Sequence, residues 1–346
     1  MRRQPQPNEA LAHELEEGMS YFRKAGLTFM AAVAAGTLSM TFAAAQGTYP
    51  TKPVKIVLPI PAGTALDVAT RVIAEHMSGN LGQQIVVEPR PGAGGPIAAQ
   101  AVASAPADGY TLFGGAAGIF TILPAQKEQL PLDVDRAFTH AGMIVGSSAM
   151  FLAVPPKLGV KTFAEFASLV KSKPGEIVIG TNGVGTLPHY AGLLLQKKGG
   201  LPITLLPYNT GGTPAAVADI LGGRVHATIE AVFGIRGQLQ AGNLLLIGTM
   251  SSARDMEFPA VPAVAETLAG LTAVGFMSLA APASTPDAIL QRLNASLNQT
   301  LAKAEVKQKF AEIGVPISIF STAQANAFVA EQQAIWRPLV KELEGR

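Results

Sequence analysis

Short β-branched runs alternate with longer amphipathic stretches along most of this chain, and that alternation constrains the fold more than any other feature. Val54–Leu58, Ile85–Val87, Thr111–Phe113 and Met143–Val145 read as strands, and residues 65–78, 96–104 and 162–172 as helices. Thr162 and Glu165 have the spacing of a capping box. The strand signal returns at Ile177–Ile179, Ile203–Leu205, Val225–Ile229 and Leu244–Ile247, each set apart by a helical segment. Thr285-Pro286 opens a helix with an apolar face of Leu290, Leu293, Leu297 and Leu301, and a last helix runs from about Thr322 to Leu343. This order describes an α/β chain with largely parallel sheets.

A chain of 346 residues is long enough for two domains, yet no Ser/Pro/Gly-rich spacer divides residues 50–340. Two doubly wound lobes joined by extended crossings reconcile the two observations. The candidate crossings are Ser147–Val154 and Val274–Pro282. They put lobe one at 46–147 plus 275–346 and lobe two at 148–274. Ligands of open α/β sheets bind beyond the carboxyl ends of the strands, so two such lobes face each other across a cleft.

Charged residues make up 14% of the chain, against roughly 25% in ordinary domains. That share excludes intrinsic disorder. The net charge is +2, without a concentrated basic run, which argues against nucleic acid or an acidic membrane surface as partner. The chain has no Cys, so disulfides, thiol catalysis and Cys-ligated metal are excluded. Arg23 and Lys24, the uncharged stretch Ala25 to Phe42 and the small residues Ala43-Ala44-Ala45 are the three parts of a secretory signal. Its Gly, Ser and Thr content is too weakly apolar for a spanning helix. Residues 1–45 are therefore expected to be a leader cleaved before Gln46, with Met19 as an alternative start because residues 1–18 are acidic.

Catalytic motifs are missing. The chain contains no G-x-S-x-G, no phosphate-binding G-x-x-x-x-G-K-[ST] and no H-E-x-x-H. Gly92-Ala-Gly-Gly95 and Gly183-Val-Gly185 lack the last Gly of a dinucleotide fingerprint, and the His residues are too scattered for a metal site. What remains is four strand-to-helix loops rich in Gly, Thr and Asn. They are Pro59–Asp67, Gly114–Gly118, Gly180–Thr186 and Tyr208–Pro214. None holds Lys or Arg, so an anion held there relies on backbone N–H groups, hydroxyls and helix dipoles. The same residues also suit plain turns and caps. Two acids stand nearby: Asp67, in the first turn of a helix, and Glu230, at the end of a strand.

At these loops the sequence resembles the periplasmic substrate-binding proteins of the tripartite tricarboxylate transporter family, including the Bordetella uptake group. The resemblance is carried by Tyr49–Pro59 with Gly63 and Asp67, Glu88–Gly95, Ala107–Leu112, Lys173-Pro-Gly175, Pro207-Tyr208, Asp219–Val225 and Phe258–Pro262 with Glu266. It implies a two-lobed Venus-flytrap fold of the type II periplasmic binding proteins, closing on a small organic carboxylate without a cofactor or metal. It also implies a non-catalytic, periplasmic monomer that delivers its ligand to permease subunits. A ligand sensor feeding a signalling partner is the alternative use of the same cleft.

The family's ligand contacts fall on Ala62, Gly63, Thr64 and Asp67, on Ala116 and Ala117, and on Thr181, Gly183, Gly185 and Thr186, with Glu230 as the strand-end acid. Backbone N–H groups of Gly63–Thr64 and Gly183–Thr186 are expected to grip opposite ends of the ligand, with Arg71 and Arg90 as competing cations. The chain departs from the family's pattern in five places: Thr64 replaces a second Gly, Ala116-Ala117-Gly118 an Asn-Gly-Thr type loop, the Tyr208-to-Asp219 segment is a residue or two longer than usual, Asn209 replaces a basic residue, and Glu230 an Asp.

Overall fold

The computed structural model describes residues 49–92, 95–126 and 132–345; the leader expected over residues 1–45 lies outside them. Two five-stranded sheets carry the fold. Sheet one contains β1 (Val54–Leu58), β2 (Ile85–Pro89), β3 (Thr111–Ala116), β4 (Phe138–Ala149) and, from far along the chain, β10 (Val274–Pro282), in the order β2-β1-β3-β10-β4. Sheet two contains β5 (Phe151–Val154), β6 (Val178–Thr181), β7 (Thr204–Pro207), β8 (Ala227–Glu230) and β9 (Leu245–Thr249), in the order β7-β6-β8-β5-β9.

The sheets are not wholly parallel. β1 runs parallel to β2 and β3, and β6 to β7 and β8. In contrast, β10 is antiparallel to β3 and β4, and β5 to β8 and β9. The reversed strands occupy the stretches expected to be bare crossings. Each enters its sheet from the other sheet, at the carboxyl end of its neighbours, and so must run against them. A crossing strand can pair as it passes, which gives its buried backbone groups partners.

Helices follow the strands: α1 (Ala65–Leu81), α2 (Pro96–Ala103) and α3 (Ala117–Thr121) in sheet one, then α4 (Phe163–Ser172), α5 (Leu187–Leu193), α6 (Gly212–Leu221) and α7 (Val232–Gln240) around sheet two. The chain ends in α8 (Asp287–Ala302), α9 (Ala304–Ile313) and α10 (Thr322–Leu343). Local sequence accounts for their ends and faces. Thr162 caps α4 by accepting the Glu165 N–H at 3.2 Å, but the Glu165 carboxylate reaches back to Lys161 N–H, so the expected box closes one residue early. On α8, Leu290, Leu293, Leu297 and Leu301 are all buried, as their spacing requires. Among the described residues no helix is long and apolar enough to cross a membrane.

The two passages of chain between the sheets are tied together. Met150, between β4 and β5, donates its N–H to Ala273 O; Ala273 donates to Met250 O, and Met250 to Met150 O, at 3.2, 2.7 and 2.7 Å. All three residues are buried.

Beside β10, His140 is buried with its Nδ1 2.7 Å from Ser278 Oγ and its ring edge-on to Phe120. Burial pushes its pKa down to about 4. The unfolded chain takes up this proton below about 6.5, while the folded chain resists until about 4, so stability falls as pH drops through that window. Each pH step of one across the window costs about 1.4 kcal/mol, which makes the loss attributable to His140 about 3 kcal/mol. Denaturant unfolding from pH 7 to pH 4 should show this slope, and His140→Gln should flatten it.

Candidate functional site

The first loop is organised by its own acid. Gly63, at φ +82°, turns the chain into α1, and Thr64 caps the helix by accepting the Asp67 N–H. Asp67 is buried, and its Oδ2 accepts both Gly63 N–H at 2.9 Å and Arg71 Nε–H at 3.0 Å. Asp67 Oδ1 is buried without a hydrogen-bond partner. The Gly63 amide, expected to face a ligand, is thus directed to Asp67 in this structure. The first-turn amides of Ala65 and Leu66 have no acceptor within their helix. Ala62 and Gly63 are exposed.

The second loop is shorter than its sequence suggests. Gly114, Gly115 and Ala116 belong to β3 and pair with Leu279, Ser278 and Met277 of β10. Glycine serves packing there: a Cβ would stand 2.3 Å from Leu58 at Gly114 and 2.4 Å from Phe120 at Gly115. The turn into α3 is left to Ala116, which cannot cap the helix with a side chain, and to the buried Ala117.

The third loop meets the second. A Cβ on Gly118 would lie 3.1 Å from Gly185 O, so the start of α3 abuts the loop Asn182–Thr186 between β6 and α5. Gly183 and Gly185 both have φ in the left-handed region, at +118° and +85°, where a side chain is strained. Thr186 precedes α5 but does not cap it, because its hydroxyl donates to Gly183 O at 2.7 Å. Thr181 points away into the interior, its Oγ1 3.2 Å from His189 Nδ1, and burial pushes His189 below the usual histidine range.

The fourth loop braces the third. Asn209 Oδ1 accepts the Val184 N–H at 3.0 Å. A basic side chain, which the sequence resemblance leads one to expect there, could not accept that bond. Tyr208 donates to Asp219 at 2.6 Å, and burial followed by this bond pushes its hydroxyl up to about 12. Glu230 ends β8 fully buried, with Asn182 Nδ2 at 2.8 Å and Thr213 Oγ1 at 2.5 Å from Oε2, and Ala231 N–H on Oε1 at 2.8 Å. Burial pushes this carboxyl above the usual range.

The structure thus sets Gly118, next after Ala116 and Ala117, against Gly185 and Thr186, and ties Glu230 to the same loop through Asn182, while Thr181 sits behind them. Asn182, Asn209 and Thr213 complete the group and are missing from the sequence-derived set, although each lies inside a loop the sequence singles out. The competing cations are already engaged, Arg71 with Asp67 and Arg90 with Glu88. A separate cavity of about 220 Å³ near the crossings is lined by Ser148, Phe151, Arg236 and Gly314 and includes none of the expected residues. No cluster of metal-ligating side chains occurs among the described residues.

Residues 69–344 match the family described as "Tripartite tricarboxylate transporter family receptor". The chain belongs to this family. It is 33% identical to Protein BugT of Bordetella pertussis over 297 residues, which is 85% of this chain and 90% of BugT. It is 31% identical to a UPF0065 protein of Bordetella bronchiseptica over 305 residues, 88% of this chain and 90% of that protein. Among solved structures, "R. palustris Rpa4515 with adipate" superposes with a TM-score of 0.78 at 28% identity, covering 86% of this chain and 98% of its own. "MatC (Rpa3494) from Rhodopseudomonas palustris with bound malate" gives 0.76 at 27%, covering 84% and 100%. The family and fold are those of periplasmic solute-binding proteins.

If Asn209 braces the third loop, Asn209→Lys removes the acceptor of the Val184 amide. Amide exchange at Val184 should accelerate about tenfold and stability fall by about 1 kcal/mol. Unchanged exchange would show that the loop is held by other means.

Proposed function

We propose that this chain captures a small organic dicarboxylate between its lobes in the periplasm and passes it, as a monomer, to the membrane subunits of a tripartite transporter, leaving the ligand chemically unchanged. The observation that carries the reading is the state of the helix starts beyond β3, β6, β7 and β8. The helices α3, α5, α6 and α7 all begin without a side-chain cap. Their first-turn N–H groups lack intrahelical acceptors and carry the positive ends of the helix dipoles. An acidic ligand supplies what these groups lack. The relatives with adipate and malate support a two-ended acid, and the absence of Lys and Arg from the four loops makes backbone donors its main holders.

Adipate and malate should raise the melting temperature in a thermal-shift series and bind in calorimetry, because a ligand that binds only the folded state stabilises it. Both should be recovered intact after long incubation. Gly185→Val should abolish binding in a folded protein, since it forces a branched side chain into a left-handed backbone beside Gln126. Binding unaffected by Gly185→Val would remove the loop from the site, and turnover of the acid would replace the binding-protein reading with an enzymatic one.

A further inference from the structure

Beneath the third and fourth loops, three polar groups close a ring. Glu230 Oε2 lies 2.5 Å from Thr213 Oγ1 and 2.8 Å from Asn182 Nδ2, and Thr213 Oγ1 lies 2.6 Å from Asn182 Oδ1. Three hydrogen bonds need three protons. The Thr213 hydroxyl supplies one and the facing amide N–H of Asn182 another. Only the Glu230 carboxyl can supply the third.

Exchanging the amide oxygen and nitrogen of Asn182 leaves the count unchanged. The amide would then donate to Thr213, and its carbonyl would face Glu230 Oε2, so the carboxyl must again carry the proton. With Glu230 ionised, one contact in either arrangement would set two lone pairs against each other.

The surroundings agree with a neutral acid. Glu230 is buried, and among the described residues its other oxygen accepts only the Ala231 N–H. Gly234 on α7 makes room for the longer side chain, since a Cβ there would stand 2.7 Å from Glu230 Cγ. The titratable groups on the elements packed around it are engaged elsewhere. His189 on α5 meets Thr181, Asp219 on α6 meets Tyr208 and Arg224, and Arg236 on α7 meets Glu257. His226, just before β8, accepts the Val178 N–H, and the paired strand β5 holds no charged residue.

We propose that Glu230 is a neutral carboxylic acid at neutral pH and a positioning residue, its proton closing the ring that locks the end of β8 to the third loop and to the first turn of α6. Resting on the ligand reading above, its second consequence is that Glu230 places no negative charge under the third and fourth loops, which are to receive an acid. Deprotonation would break the ring and place a like charge beside the ligand.

Infrared spectroscopy of the full mature protein at pH 7 should show a protonated-carboxyl band that disappears in Glu230→Gln. Should that variant not fold, the wild-type protein labelled at the glutamate δ-carbon gives the same readout, as one resonance that stays protonated after the other glutamates have titrated. Adipate affinity, measured by calorimetry from pH 7 upward, should fall about tenfold as this signal is lost. In Glu230→Gln it should not change over that range. A fully ionised set of glutamates at pH 7 overturns the proposal whether or not adipate binds. Affinity independent of pH while the signal is lost overturns the positioning role. A protonated Glu230 in a protein that binds neither adipate nor malate supports the proton assignment and refutes the dicarboxylate reading instead.

Discussion

The ring of backbone hydrogen bonds among Met150, Met250 and Ala273 is the constraint on which the two-sheet arrangement depends. Each residue gives one N–H and takes one at its carbonyl, and all three are buried where the chain passes between the sheets. A buried backbone group that loses its partner costs about 1–3 kcal/mol, so sliding one passage past the other would forfeit several such bonds together. Beyond β3 and β6, the start of α3 lies against Gly185 O.

Much of this was legible in the sequence. Strand and helix positions follow from hydrophobic period and punctuation, and the four loops announce themselves by Gly and Thr between a β-branched run and a helix. What local pattern cannot carry is pairing at a distance. Nothing near Phe151–Val154 or Val274–Pro282 says that these stretches will insert antiparallel, because direction is decided by where the previous strand ended. Gly114 and Gly115 read as a loop because glycine signals turns, yet their need is steric, imposed by Leu58 and Phe120 from other segments. The partnership of Asn182, Thr213 and Glu230 joins residues 31, 17 and 48 positions apart. Each looks ordinary where it stands.

The departures from the family pattern acquire physical content in the same way. Thr64, where a second Gly is usual, has an extended backbone that any residue adopts and uses its hydroxyl as a cap that Gly could not provide. Asn209, where the resemblance leads one to expect a basic residue, is a hydrogen-bond acceptor for the neighbouring loop. Loops without cationic side chains present a weaker long-range field than loops that carry them, which leaves short, directional donors there.

The reversed strands also fix an order of events during synthesis. Sheet two is drawn from the continuous stretch between Phe151 and Thr249, so all its strands exist once residue 249 has been made. Sheet one must wait. Its edge strand β4 pairs within that sheet only with β10, and twelve residues from Phe138 to Ala149 have no ladder partner there until the chain reaches Val274 and beyond. A growing chain therefore carries an apolar strand with open edges while more than a hundred further residues are added, the kind of exposed edge that invites mispairing. The architecture that lets two lobes share one chain makes the first lobe begun the last one closed.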